Sequence, residues 1–278
     1  MPEQVFFVLS AAVVGLCVGS FLNVVIHRLP KMLDRSWQAQ CAELRGEAIV
    51  EEPAYNLVVP RSQCPSCGHQ ITASENIPVL SWLALGGKCS ACKAPITIRY
   101  PVVEMLGALL AVYAIVHFGA TAKGFAACGL LWTLLALTCI DFDTQLLPDG
   151  MTVPLTWAGL IVNLWGLFVP LDAAVIGAIA GYMSLWTIYW LFKLIRGKEG
   201  MGYGDFKLLA GLGAWLGWQM LPLIVLLSSV VGAVIGLSLI AFKGRDHNVP
   251  LAFGPYLAIA GAIALFWGPG LVKTFFPG

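Results

Sequence analysis

Two aspartates stand at the edges of long apolar runs in a chain that carries few charges: Asp141 in Cys139-Ile140-Asp141-Phe142-Asp143, and Asp205 in Gly202-Tyr203-Gly204-Asp205. A carboxylate placed in a membrane helix costs about 2.5–3.5 kcal/mol on insertion scales, which makes such residues suspects for chemistry. Two carboxyl groups about 3 Å apart cannot both ionise and share one proton. The ionised member can then draw a proton from water while the protonated member polarises a peptide carbonyl, which is acid–base hydrolysis. The glycines beside Asp205 leave the backbone open to an extended chain. Position alone equally fits residues at the headgroup boundary, and Asp205 could simply cap a helix. Asp143 and Asp149 read as solvated loop residues, Asp172 as the N-cap of a later helix, and Glu104 as a secondary suspect near the start of the second apolar run.

A second cluster is made of thiols. Cys64-Pro65-Ser66-Cys67 and Cys89-Ser90-Ala91-Cys92 have the spacing of a zinc ribbon, in which four thiolates surround one ion tetrahedrally. Four cysteines leave no open position for a catalytic water, so the ion would be structural. Two disulfides or a redox pair are the alternatives. His69 reads as a neighbour of the site rather than a ligand. Cys17, Cys41, Cys128 and Cys139 are scattered and read as small apolar residues.

The elements that must position these groups follow from composition. Apolar residues make up 59% of the 278 positions and charged residues 11%, which is too little polar cover for a soluble domain of this size. Stretches 124–140, 150–171 and 208–241 hold no charge at all. A span needs about 20 apolar residues, and the sequence predicts an all-α polytopic membrane protein with spans at 5–26, 101–118, 124–141, 151–169, 172–193, 206–219, 221–242 and 253–271. Only Gln219 and Pro222 separate the sixth from the seventh, so one long bent helix is the alternative. The first run lacks a basic segment before it and a small-residue cleavage site after it, and reads as a retained helix.

Three pieces are expected: a first helix at 1–26, a small cytoplasmic metal-binding domain at 27–100, and a seven-helix core at 101–278. Segment 27–100 has few apolar runs and needs a staple. With the N-terminus outside, every one of the 16 basic residues except Lys123 and Lys273 falls in the inner segments, Lys198 and Arg245 among them. That orientation puts Asp141, Asp205 and the cysteines on the cytoplasmic side. The net charge of +1 points to no particular partner, and no nucleic acid is expected; the lipid bilayer is.

Several motifs together resemble the bacterial type IV prepilin peptidases. They are Asp141-Phe142-Asp143 with Leu147-Pro148-Asp149, then Gly202-Tyr203-Gly204-Asp205-Phe206-Lys207, a G-x-G-D motif shared with other intramembrane aspartyl proteases. Further matches are Gly19-Ser20 through Asn23 to His27-Arg28 and Pro30, the two Cys pairs, Glu75-Asn76-Ile77-Pro78, Ser81-Trp82, Arg99-Tyr100-Pro101 with Glu104, and Phe253-Gly254-Pro255-Tyr256. The resemblance implies a bifunctional enzyme of the bacterial inner membrane. It would cleave the short basic leader of type IV prepilins and type II secretion pseudopilins, then methylate the new N-terminal amine with S-adenosylmethionine. It also implies that Asp141, rather than Asp143, pairs with Asp205, that Cys64, Cys67, Cys89 and Cys92 hold zinc, and that Gly87 and Lys88 serve methyl transfer. A peptidase without methyl transfer remains open, as does a proton-coupled transporter using the two aspartates as relays, although the latter predicts midplane carboxylates and inverted repeats.

Overall fold

The computed structural model describes residues 2–47, 53–197, 201–243 and 252–275; Lys198 and Arg245, used above for orientation, lie outside them. The described residues form nine α-helices: α1 (Pro2–Leu44), α2 (Leu80–Ala84), α3 (Arg99–Phe118), α4 (Ala122–Thr144), α5 (Asp149–Asn163), α6 (Leu171–Arg196), α7 (Tyr203–Leu216), α8 (Leu221–Lys243) and α9 (Gly254–Phe275). Among these residues there is no strand, only isolated bridges between Gln63 and Gln70 and between Lys88 and Pro95. Six helices, α1, α3, α4, α6, α8 and α9, are long and apolar enough to cross a membrane. Helices α5 and α7 lie where two further spans were expected and are shorter, at 15 and 14 residues. Large apolar side chains stand exposed along the long helices, including Leu9 and Val13, Leu109 and Val116, Ile179, and Val230 and Val234. A face of this kind fits lipid rather than water.

The chain divides into two compact units, Met1–Cys128 and Gly129–Gly278. In the first, α1 does not stop near residue 26 but continues through Pro30 to Leu44. Its 43 residues rise about 65 Å at about 1.5 Å each, twice a hydrocarbon core of about 30 Å. The polar half therefore projects beyond the span. It is fastened there by Arg28, whose guanidinium donates to the carbonyls of Asn56 at 2.8 Å and Pro60 at 2.7 Å. Arg35 stacks its own guanidinium 4.4 Å from the Tyr55 ring.

Helix α1 packs on α3 through glycine, with the two running in opposite directions. A Cβ on Gly15 would lie 2.6 Å from the Ala108 Cα, and one on Gly19 2.6 Å from the Glu104 Cα. Asn23 then donates to the Tyr100 carbonyl at 3.1 Å. Gly15 and Gly19 are a G-x-x-x-G pair, the small-residue stripe that lets membrane helices touch backbone to backbone.

The second unit repeats the device with Gly177 and Gly181 on α6 against α7: Cβ atoms there would lie 2.3 Å from the Gly213 carbonyl oxygen and 2.6 Å from that of Leu209. Helix α7 is the centre of this unit. From Asp205 to Leu216 every residue except Lys207 is buried, as a helix apolar on all sides must be. Helices α5, α6 and α9 all pack on it. It ends at Gly217, whose left-handed φ of 80° only glycine adopts readily. A short 3₁₀ turn, Trp218–Met220, then leads into α8. The apolar stretch at 208–241 is thus two helices, and the break falls at Gly217 ahead of Gln219 and Pro222. Asp172 sits inside the first turn of α6, where Pro170 takes the cap position expected for the aspartate.

Asn163 ties α5 to α7. Its amide donates to the Ala214 and Trp215 carbonyls at 2.9 and 3.1 Å, and its oxygen accepts from the Phe168 and Val169 amides at 3.0 and 3.2 Å. The residue is 1% exposed. Asn163→Leu keeps the volume but strands these groups, at about 1–3 kcal/mol for each one left unpaired. The expected outcome is a loss of at least about 2 kcal/mol, read as a lower melting temperature of the purified protein in detergent.

Candidate functional site

The two aspartates come together within the second unit. Asp141 lies in the last turn of α4, where Gln145, in a left-handed conformation, donates its amide to the Asp141 carbonyl at 2.9 Å and closes the helix. Asp205 is the third residue of α7. The cap position belongs to Gly202, and no side-chain cap bond forms, so Asp205 is not the cap of its helix. Both side chains are buried, at 5% and 7% exposure, whereas Asp143, two residues along α4 and on another face, is exposed. The Asp141 carboxylate lies within electrostatic reach of Asp205.

Oδ2 of Asp141 is buried without a hydrogen-bond partner, a condition that costs about 1–3 kcal/mol and calls for an explanation beyond stability. The Gly254 amide approaches the same carboxyl group, and the residue sits so close that a Cβ there would lie 2.7 Å from Oδ2. Leu147 fills the adjoining space and touches both Gly204 and Gly254. Asp149, exposed as expected, is nonetheless paired: Lys207 donates to both of its carboxylate oxygens at 2.6 and 2.7 Å. Glycine, leucine and an ion pair around two buried carboxylates suit general acid–base chemistry at an apolar chain.

In the first unit the four cysteines form two copies of one knuckle. The Cys64 amide donates to the His69 carbonyl at 2.8 Å and the Cys89 amide to the Ala94 carbonyl at 2.9 Å. Gly68 and Lys93 return their amides to the Cys64 and Cys89 carbonyls at 2.9 and 3.1 Å. Gly68 and Lys93 both take positive φ. The likeness is conformational, and the sequences show only the paired cysteines. All four sulfurs lie within 4.8 Å of one another, with Cys64 and Cys92 at 3.8 Å and Cys67 and Cys89 at 4.0 Å. None of the eight cysteines is in a disulfide. Thiolates about 2.3 Å from a tetrahedral ion stand roughly 3.8 Å apart, so the cluster has the size of a four-thiolate metal site. The Ser66 and Cys67 amides point at the Cys64 sulfur and pull its thiol down to about 6. The Cys92 and Ala91 amides likewise lower that of Cys89.

His69 stands beside the cluster rather than in it, with Nε2 3.2 Å from a Glu75 oxygen and 3.2 Å from the Ser90 hydroxyl, so it joins one knuckle to the other. The Ser90 hydroxyl and the Thr72 amide and hydroxyl hold the Glu75 carboxyl down at about 2. This network, the natural outer support of a metal site, was not foreseen from the sequence. Glu104 is buried and accepts the Val79 amide at 2.7 Å. It thereby holds Val79, a β-branched residue with φ of 61°, in a conformation such residues avoid. Gly87 packs on the Trp82 ring, donates to the Trp82 carbonyl at 2.8 Å and accepts the Ile96 amide at 2.7 Å, while Lys88 is exposed.

A helical membrane protein with two buried carboxylates at helix ends and a four-thiol knuckle pair defines a recognisable class. The Bacterial Peptidase A24 N-terminal domain model matches residues 13–118, and that of the Type IV leader peptidase family matches residues 128–237. Proteins named prepilin leader peptidase/N-methyltransferase are similar over almost the whole chain. That of Pseudomonas aeruginosa is 57% identical over 97% of this chain and 93% of its own, and that of Aeromonas hydrophila 58% identical over 94% and 91%. That of Burkholderia pseudomallei is 56% identical over 93% and 84%. The chain belongs to the type IV leader peptidase family. No solved structure matches it.

The four sulfurs are expected to take up one thiophilic divalent ion per chain. Titration of the reduced protein with Co²⁺ should give the absorption of a tetrahedral thiolate site, and Cys67→Ser should abolish it.

Proposed function

We propose that this protein cleaves the leader peptide from type IV prepilins and type II secretion pseudopilins with Asp141 and Asp205, and then methylates the new N-terminal amine. The observation that carries the reading is the pair of buried carboxylates, one of them with an unpartnered oxygen, on the last turn of α4 and the first turn of α7. One carboxylate takes a proton from water, which attacks the scissile carbonyl; the other, protonated, donates a hydrogen bond to that carbonyl's oxygen. Collapse of the tetrahedral intermediate returns a proton to the leaving amine. The missing side chain at Gly202, exposed and with only Oδ2 of Asp205 nearby, lets an extended backbone come close.

The skew of basic residues supports an orientation in the bacterial inner membrane with the N-terminus periplasmic and the aspartates at the cytoplasmic interface. A basic leader stays in the cytoplasm while its apolar segment lies in the bilayer, so the cleaved bond falls at that interface. Segment 27–100 is assigned to metal: Cys64, Cys67, Cys89 and Cys92 would hold zinc, whose binding free energy supplies what a small core lacks. Methyl transfer is assigned S-adenosylmethionine as the source of the methyl group. Gly87 and Lys88 would serve it, Gly87 by its close seat on Trp82 and Lys88 by its exposed ammonium beside the second knuckle.

With purified enzyme and a prepilin, Asp141→Asn and Asp205→Asn are each expected to lower cleavage by at least about a hundredfold; wild-type rates in either variant would overturn the pair. Mass analysis of the mature pilin N-terminus should find one added methyl group, dependent on S-adenosylmethionine. Its absence leaves a peptidase alone.

A further inference from the structure

We propose that Leu147 is the positioning residue of the carboxylate pair, an apolar spacer that sets how closely Asp141 and Asp205 approach each other. The inference rests on the peptidase reading above. The geometry converges on this one side chain from two directions. A Cβ on Gly204, the residue before Asp205, would lie 2.7 Å from the Leu147 Cβ. A Cβ on Gly254 would lie 3.0 Å from the Leu147 Cδ1 and 2.7 Å from Oδ2 of Asp141. Leu147 thus occupies the gap between the backbone that carries Asp205 and the glycine that packs on Asp141. Both glycines are needed for it to fit.

Leucine offers neither donor nor acceptor, so its part is spatial. It adds no hydrogen bond to the pair, in keeping with the unpartnered Oδ2 of Asp141. The turn that presents it is fixed on both sides. Pro148 follows with its φ locked by the ring and its carbonyl accepting the Met151 and Thr152 amides at 2.9 and 3.0 Å. Asp149 is held in a two-pronged ion pair by Lys207, two residues beyond Asp205 on α7. Helix α7 therefore carries one carboxylate and also anchors the turn that spaces it from the other.

The closeness of two carboxyl groups decides how strongly they share a proton, and so how far apart the two limbs of a pH–rate profile lie. Full-length enzyme in detergent with a prepilin substrate tests this. Leu147→Ala is expected to lower kcat about tenfold to a hundredfold, the cost of misplacing a reacting group by about 1 Å. KM should stay within about threefold, the pattern of a lost transition-state arrangement rather than lost binding. The limbs of the kcat profile should move apart as the shortened spacer lets the two carboxyl groups close up and their coupling strengthens, and Leu147→Met, of similar volume, should recover most of both effects. If the Ala variant fails to accumulate folded, Leu147→Val takes its place with the same expected direction. A wild-type kcat and pH profile in the shortened variant overturns the proposal, as does a loss confined to KM. A wild-type enzyme that leaves prepilin uncut, or an Asp141→Asn variant that cuts it, overturns the peptidase reading itself.

Discussion

The second unit depends on enclosing one short helix on every side. Apart from Tyr203, Gly204 and Lys207 near its start, helix α7 is closed to water, since its other eleven residues, Asp205, Phe206 and Leu208–Leu216, are buried. Its neighbours must therefore approach closely enough to leave no gap. Glycine on α6 meets glycine on α7 backbone to backbone; Trp215 fills the space beside Gly159 and donates its indole N–H to the Leu155 carbonyl at 2.8 Å. Close packing is what holds helices together in a lipid solvent that rewards no further burial of apolar surface. Asp205 is carried inward as part of that helix, and its burial follows from its place in the first turn. The N-terminal end of a helix also favours negative charge, which offsets part of the cost of placing a carboxylate there.

The first unit meets the opposite difficulty, a soluble segment with too little apolar surface to fold upon itself. Its answer is local geometry repeated: two tight turns that aim their sulfurs at a common point, with Glu75, His69 and Ser90 bonded across them. The same segment is tied to the helices by polar contacts that reach well beyond their neighbours in sequence. Arg28 grips the carbonyls of Asn56 and Pro60, and Glu104 grips the amide of Val79. Charged groups that composition alone would place in solvent are here the fasteners between a helix pair and a loop.

Much of this was legible before any coordinates. The apolar runs gave the helices, and the paired cysteines at ribbon spacing gave the cluster, because both signals are local and periodic. The carboxylates were legible as suspects because charge is rare in such runs. What escaped was set by packing between distant segments. The extent of α1 to Leu44 was missed because residues 27–44 are polar, and a polar helix carries no apolar stripe to read. The break at Gly217 was displaced to Gln219 and Pro222 because glycine within an apolar run is ambiguous until its φ is known. Leu147 was legible only as part of the Leu147-Pro148-Asp149 match and without a role, since its meaning lies in Gly204 and Gly254, far away in the chain. The G-x-x-x-G pairs at Gly15 and Gly177 were not read from the sequence, since their meaning lies in the helices they join.

The shortness of α5 and α7 bears on which of them can meet lipid. At about 1.5 Å per residue the two helices are roughly 22 and 21 Å long, against a hydrocarbon thickness of about 30 Å. They pack side by side in the same direction, Leu155 against Gly211 and Gly159 against Trp215. Helix α7 is enclosed by protein, so α5, with Val153, Trp157 and Ile161 exposed, is the one that presents its short length to a bilayer. A bilayer answers such hydrophobic mismatch by thinning locally, at fractions of a kcal/mol per Å, and α5 is where that thinning is expected.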